Sequence, residues 1–477
     1  MNMKTLLLIT VLASPAWAAI NAASQWEIRT TGLSTNGGCW YNSGGSSTDY
    51  SQQDAPQLSL TDVTSNAAGT AWGSVTGGFT ANMVGNCVRL TSGTNFTVGT
   101  YQIVGFTDGN NITVDRDSTS GASASAGNIN IGGGLIDTWT VAPAYVAGNT
   151  VWIKNGTYTR TSTLWAIATT CTAAAPCYII GYNSTHGDGG TQPVFTSATN
   201  SITLWTVNAA SFTTIRNIKF THTAATRGLC ISAVTANSNL LLVESSYFDG
   251  CSVGFDGNTI ATNYSIVKSY FTNSTTNAVS NGNIVANVRI FDSVCYNNVG
   301  SCYTTSNNGT TLHFLNNVAS TNTNGIHFST TSGSGSVLFV RSSSFDSNTA
   351  SGIKVQNGVS LSVQNSIFWG NTTDGVNFVS DTPGRLIANN NNAYGGNGTD
   401  RTNLPVGTGD VTLTGSPFVS ATNWGLNNTA GAGASCRAAA FPGAMQDGTT
   451  VGYLDIGAVQ HQDAGGAAVT RAFPFVQ

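Results

Sequence analysis

The chain has 477 residues, of which 40% are hydrophobic, 9% aromatic and only 8% charged, with 55 Gly and a formal net charge of −4. That apolar content excludes a disordered chain, and the lack of any Lys/Arg cluster removes the electrostatic footprint that nucleic acid demands. Past the first eighteen residues no run approaches the ~18 apolar residues that span a bilayer.

Residues 1–18, MNMKTLLLITVLASPAWA, order a charge (Lys4), an apolar run (Leu6 to Leu12) and a small-x-small end (Ala16-Trp17-Ala18). This predicts a secretory signal cleaved after Ala18, against a buried N-terminal strand as the plainer alternative. The mature protein is then expected outside the cytoplasm, secreted or periplasmic. Residues 19–134 hold short strand-like runs (NCVRLTSG, TYQIVGF, NNITVDRD, NINIGG) between Gly-, Ser- and Asn-rich turns, which predicts a β-rich cap or small domain. Residues 135–211 read as the first coils of a repeating array, less evenly spaced than the later ones.

From residue 212 one unit repeats: FTTIRNIKFTHT, NLLLVESSYFDG, NYSIVKSYFTNS, NVRIFDSVCYNN, TLHFLNNVASTN, SVLFVRSSSFDS, SLSVQNSIFWGN. A marker recurs at Phe220, Phe248, Phe271, Tyr296, Ser320 (the one small exception), Phe345 and Phe368, at spacings of 28, 23, 25, 24, 25 and 23 by subtraction. Such a period marks a solenoid, whose units bury their apolar faces only by stacking. Five residues before the markers stand Ile215, Val243, Ile266, Phe291, Leu315, Val340 and Val363. Polar residues follow each except at Val267, and the positions three before the markers (Asn217, Ser245, Lys268, Ser293, Asn317, Ser342, Asn365) are all polar. That alternation is a strand signal, and no period of three or four competes with it. After the marker comes an Asn-, Asp- and Gly-rich turn, then a second short strand: RGLCISA, VGFDG, NAVSN, SCYTT, NGIHFST, SGIKVQN, DGVNFVS. Short parallel strands stacked coil on coil make a β-helix. Stacking places like over like, so interior apolar columns, Asn ladders at turns and a scarcity of charge all belong together. Residues 135–395 are assigned to the helix and 396–477 to a closing coil and tail.

Nine cysteines suit an oxidising compartment. Cys39 with Cys87, Cys171 with Cys177, Cys230 with Cys251 and Cys295 with Cys302 are the candidate bridges, leaving Cys436; free buried thiols are the alternative. No spacing suggests zinc.

The regular coils resemble the right-handed parallel β-helix repeats of the pectin-lyase-like superfamily. GNTVWIKNGTYT is similar to the opening coil of such secreted proteins, and the SPFV…L…GAGASC…DIGAVQ ending is similar to a closure in which a DIGA-type motif follows the last coil. The resemblance covers about residues 135–460, and the 19–134 region also resembles the head of β-helix proteins from environmental bacteria and phages. It implies an all-β, right-handed parallel β-helix with an N-terminal β cap and a C-terminal closing segment. It does not imply one chemistry, since the fold hosts lyases, hydrolases, tailspikes and adhesins.

The polygalacturonase-type set (Asn-Thr-Asp, Asp-Asp, Gly-His-Gly, Arg-Ile-Lys) is not matched. Asn371-Thr372-Thr373-Asp374-Gly375 has one residue too many and reads as a turn, no adjacent Asp pair occurs, and Arg216-Asn217-Ile218-Lys219 departs from the last motif. The acids of the coils (Glu244, Asp249, Asp256, Asp292, Asp346, Asp374, Asp381) are scattered, so no calcium cage and no cofactor is expected. Seven residues before three successive markers stand Tyr264, Arg289 and His313, which would share one face if the register held, with Lys268 and Asp292 further along their strands. An Arg beside a His favours neutral imidazole, a usable base; a polar surface column without chemistry is the alternative. His327 reads as a turn residue, and Trp369 as a packing or sugar-contact residue. The leading expectation is a surface or secreted protein that binds polysaccharide or serves as an adhesive element. A polysaccharide lyase or glycoside hydrolase at the Tyr264–Arg289–His313 face comes second, and a phage-spike-like component third.

Overall fold

A computed structural model describes residues 20–136, 145–159, 161–162, 166–167, 171–207, 211–233, 239–257, 263–282, 287–306, 309–329, 335–356, 358–379, 386–440 and 454–460. The leader at 1–18, Asp381 and the RAFPFVQ end lie outside them. The chain divides into two compact units, Met1–Val146 and Ala147–Gln477. No helix among the described residues is long and apolar enough to cross a membrane.

The first unit holds a closed antiparallel barrel. Its strands follow the order Leu58–Ser65, Ala71–Gly73, Asn111–Val114, Gly99–Asp108, Cys87–Thr94 and Ala124–Ile131, the last pairing back onto the first. Closure removes the strand edges that an open sheet leaves unpaired. The interior is packed by Val63, Trp72, Val88, Leu90, Ile103, Ile129 and Ile131. The Cys39–Cys87 disulfide ties the barrel to the strand Cys39–Trp40.

The second unit is a parallel β-helix of three sheets. Each coil contributes one strand to sheet one, a turn, one strand to sheet two, a second turn, and one strand to sheet three, and from the strand Thr213–Arg216 onward the first turn is two residues long. Asn263–Val267, Tyr270–Thr272 and Asn277–Asn281 form one such coil. Along sheet two the inward column runs Phe195, Phe220, Phe248, Phe271, Cys295, Ala319, Phe345, Phe368, Tyr394. The rings lie face to face, with centroids 4.5 Å apart for Phe248–Phe271 and 4.9 Å for Phe345–Phe368. Each buried Phe contributes roughly 1.5–3 kcal/mol.

Two markers read from the sequence stand one residue beyond this column. Tyr296 and Ser320 face outward, and Cys295 and Ala319 take the interior places. The inward column of sheet one is correspondingly Ile215, Val243, Ile266, Ile290, Phe314, Val340, Val363, so Phe291 and Leu315 lie on the outer face. A slip of one residue exchanges the two faces of a strand. Where the aromatic column thins, Phe314 reaches across from sheet one to within 5.7 Å of Phe345, and Cys295 is bridged to Cys302.

The polar positions before the markers belong to a turn and not to a strand. Asn217, Ser245, Lys268, Asp292, Asn316, Ser342, Asn365 and Asn391 have left-handed backbone, with φ between 47° and 57°. Behind them the backbone N–H of each coil is capped by the next coil's side chain: Ser246 by Ser269, Ser269 by Ser293, Ser293 by Asn317, Ser366 by Asn392. The expected amide ladder lies at the second turn and is buried. Asn298, Asn322, Asn348, Asn371 and Asn397 form it, each of the first four passing a side-chain N–H to the next amide oxygen, at 2.8, 3.3, 2.8 and 2.9 Å. All four candidate disulfides form, and Cys436 is free and buried. Burial, and next Asp455, push its thiol up to about 12.

Small residues of sheet three make room for the ring stack. A Cβ at Gly254 would come within 2.6 Å of the Phe271 ring, and one at Gly325 would overlap the Phe345 ring and the Gly352 carbonyl. Gly325→Ala is therefore expected to cost about 2 kcal/mol, seen as a lower urea midpoint at unchanged slope.

After its last coil the chain turns back along the outer face of sheet two. Leu413, Phe418, Trp424, Leu426, Cys436, Ile456 and Ala458 cluster with the outward Val294, Val318, Ile367 and Ala393. The Trp424 indole donates to Asp346 at 3.2 Å, Ala458 N–H to Ser344 Oγ at 3.1 Å and Gly457 N–H to the Asn365 carbonyl at 2.9 Å. Trp369 packs against this cluster.

Candidate functional site

The three outer faces differ in character. On sheet one the column is Thr214, Leu242, Ser265, Arg289, His313, Phe339, Ser362, Ala388. Arg289 and His313 stand opposite each other, as the sequence predicts. Burial, and next the Arg289 charge, hold the His313 imidazole below its ordinary range, and its ring stacks on Phe339 at 4.9 Å. Tyr264 does not join them. It pairs with Val288, faces inward at 2% exposure and lies 4.9 Å from the Phe255 ring. Counting back from Phe271, which lies in the inward column, and from Tyr296 and Ser320, which lie one beyond it, mixes the two faces. Burial, foremost, raises the Tyr264 phenol far above the usual range, so it carries no charge. Lys268 and Asp292 sit in the left-handed turn, off the strands. Leu242, Phe339 and Ala388 interrupt the polar run on this face.

Sheet two is covered from Val294 to Ala393 by the closing segment. Asp346 beneath it accepts from Ser320, Ser347 and Trp424, and burial raises its carboxyl.

Sheet three carries an unbroken polar column on its outer face: Ser232, Asp256, Ser280, Thr304, His327, Lys354, Asn377, Thr402. Rungs of a parallel sheet are about 4.8 Å apart. His327, expected in a turn, is the middle residue of the strand Ile326–Phe328. Its imidazole is held below the ordinary range by burial first and by Lys354 second, so the ring is neutral beside a cation. Its Nε2 is buried with no hydrogen-bond partner. Asn377 and Thr402 are oriented by Asp374, whose two oxygens accept from them at 2.6 Å each. Asp374 is 3% exposed and opens the strand Asp374–Phe378, while Asn371 belongs to the buried ladder. The segments VGFDG, NGIHFST and SGIKVQN held this column in the sequence, but only the register lines it up. Among the described residues no group of three or more His, Cys, Asp or Glu is placed to hold a metal ion.

Burial raises the Asp256 carboxyl to about 6. Between the unfolded value near 4 and about 6 the folded chain then holds a proton that the unfolded chain has lost. That stabilisation is full below pH 4 and gone once pH rises past 6. Asp256→Asn is expected to raise the melting temperature by about 2 °C at pH 7 and not at pH 4, as followed by calorimetry.

No family model matches the sequence, and no curated protein matches it significantly. Solved structures are similar in fold. A pectate lyase, Pel9A, aligns at 12% identity and TM-score 0.47 over 69% of this chain and 92% of its own. A rhamnogalacturonan lyase aligns at 12% and 0.30 over 57% and 83%. The catalytic unit of a GH87 α-1,3-glucanase from Streptomyces thermodiastaticus aligns at 11% and 0.30 over 73% and 88%. At these identities the likeness is one of fold alone.

Proposed function

We propose that this protein is a secreted polysaccharide lyase that lays a uronate-bearing glycan along the outer face of sheet three. The observation that carries the reading is the His327–Lys354 pair, in register at the middle of an outer column that is polar at each of its eight rungs from Ser232 to Thr402. The Lys354 ammonium pairs with the uronate carboxylate and makes the neighbouring C–H more acidic. Neutral His327 takes that proton, the electron pair forms a carbon–carbon double bond, and the glycosidic C–O bond breaks. The leaving oxygen is protonated by solvent. Ser280, Thr304 and Asn377 offer hydrogen bonds to flanking sugars.

Hydrolysis is less well served. Asp256 stands three rungs from His327, about 14 Å at 4.8 Å per rung, and Asp374 is buried with both oxygens taken. Two carboxyls must stand roughly 5–9.5 Å apart for that route. Binding without cleavage is a second reading, favoured by the hydroxyl and amide rungs themselves. Arg289 and His313 on sheet one form the competing reacting pair.

Incubation with polygalacturonate, alginate and rhamnogalacturonan is expected to release unsaturated product that absorbs in the ultraviolet, with neutral glucan and xylan giving none. Retention on an acidic glycan without product would establish the binding reading instead, and neither retention nor product would end both.

A further inference from the structure

We propose a second glycan site, for neutral sugar units with vicinal hydroxyls, at the turn that leaves sheet two between residues 221 and 299. Here the surface opens into a groove of about 640 Å³, a size usual for small-ligand sites. Thr221, His222, Arg227, Asp249, Asn273 and Asn297 line it.

The polar groups are ordered in advance. Arg227 Nη1 donates to the Asn273 carbonyl at 2.6 Å. Asn273 donates to Asp249 Oδ1 at 2.9 Å, and Asn297 to Asn273 Oδ1 at 2.8 Å. One Arg227 N–H is engaged out of five, and Asp249 forms no ion pair with it among the described residues. A planar fork of donors and a carboxylate oxygen thus face the same groove.

Two further features shape the groove. His222 is 2% exposed and lines the groove, and its Nδ1 is buried with no partner. Its Nε2 is engaged in either tautomer, donating to the Ile202 carbonyl at 2.9 Å when it carries the proton and accepting from the Gly228 N–H at 3.2 Å when it does not. Gly250, at φ +69°, keeps the floor open: a Cβ there would come within 2.8 Å of the His222 carbonyl and 3.3 Å of Arg227 Nη1.

Beside the groove, two residues from Asp249 along the same strand, Tyr247 stacks on Tyr270 at 5.1 Å with the rings 2° from parallel, and Lys219 Nζ lies 4.8 Å from the Tyr247 ring. Burial, and next Tyr247, push the Tyr270 phenol up to about 12, so it stays a donor. Asp249 at the centre repels a uronate and accepts from a diol. Arg227 and the amides supply the complementary donors. This site lies on the turn between sheets two and three, takes no residue from the outer column of sheet three, and does not rest on the lyase reading.

Native gels containing hydroxyethylcellulose, glucomannan or xylan, with polygalacturonate as the acidic control, test it. The wild-type chain is expected to be retarded by at least one neutral glycan. Arg227→Ala/Asp249→Ala should weaken that retardation at least tenfold, and Tyr270→Phe should weaken it with the fold intact by circular dichroism. His327→Ala/Lys354→Ala should leave it unchanged. Neutral-glycan retardation that survives Arg227→Ala/Asp249→Ala, no retardation by any neutral glycan, or retardation by polygalacturonate alone would each overturn the proposal.

Discussion

His327→Ala and Lys354→Ala are each expected to lower product release from a uronate glycan by roughly 10²–10⁴-fold, the usual worth of one positioned acid–base group. The two losses should differ in kind. Removing Lys354 takes away the charge that pairs with the carboxylate, so Lys354→Arg should recover part of the rate while His327→Gln recovers none. The pH profile carries the second signature. The base must be neutral, and burial with Lys354 alongside holds the imidazole below its ordinary 6.5. Activity should therefore be full above that range and fall as acidification protonates His327. With Lys354→Ala one of the two depressing causes is gone, so the acidic limb should move to higher pH. The stacked pair on sheet one supplies the control. If Arg289→Ala and His313→Ala abolish product and the sheet-three variants do not, the reacting face is sheet one and the polar column of sheet three only binds.

The fold was largely legible because stacking writes itself into the sequence. Val243, Ile266 and Val340 recur at nearly constant spacing, and the four candidate cysteine pairs all bridge. Legibility failed where the interior is shared between sheets. Cys295 and Ala319 hold places that a Phe holds elsewhere, because Phe314 and the Cys295–Cys302 bridge occupy the same space from other sides. Reading the bulky residue as the marker then selects Tyr296, moves the register by one and puts Tyr264 on the wrong face. The left-handed turn was hidden for a related reason. Lys268 and Asp292 occupy it as readily as Asn217 or Asn365, since a two-residue turn fixed by neighbours above and below tolerates what an isolated one would not. Val294, Val318 and Ile367 are apolar and face outward. That was the trace of the returning C-terminal segment, unreadable until the inward column was known. The sheet-three column is polar at single positions of short strands, and its alignment likewise needed the register.

Asn348→Ala is expected to cost about 4 kcal/mol, more than an ordinary hydrogen bond, because the residue ties three coils at once. Its Oδ1 accepts from the Asn322 backbone N–H at 3.1 Å and from Asn322 Nδ2 at 3.3 Å. Its Nδ2 donates to the Ala319 carbonyl at 3.1 Å and to Asn371 Oδ1 at 2.8 Å. Truncation strips a partner from two buried donors and two buried acceptors, at roughly 1–3 kcal/mol for each group left unsatisfied. The column geometry also prevents easy relaxation, since Asn322 and Asn371 are held by their own neighbours above and below. Asn287 provides the contrast. It too passes an amide N–H along a ladder, to Asn263 Oδ1 at 2.9 Å, but on the exposed face of sheet one, where water replaces what is lost. Asn287→Ala should shift the stability read from the urea midpoint by less than about 0.5 kcal/mol. Equal and small effects at the two positions would mean that water enters the second turn freely, and that the aromatic columns alone hold coil to coil.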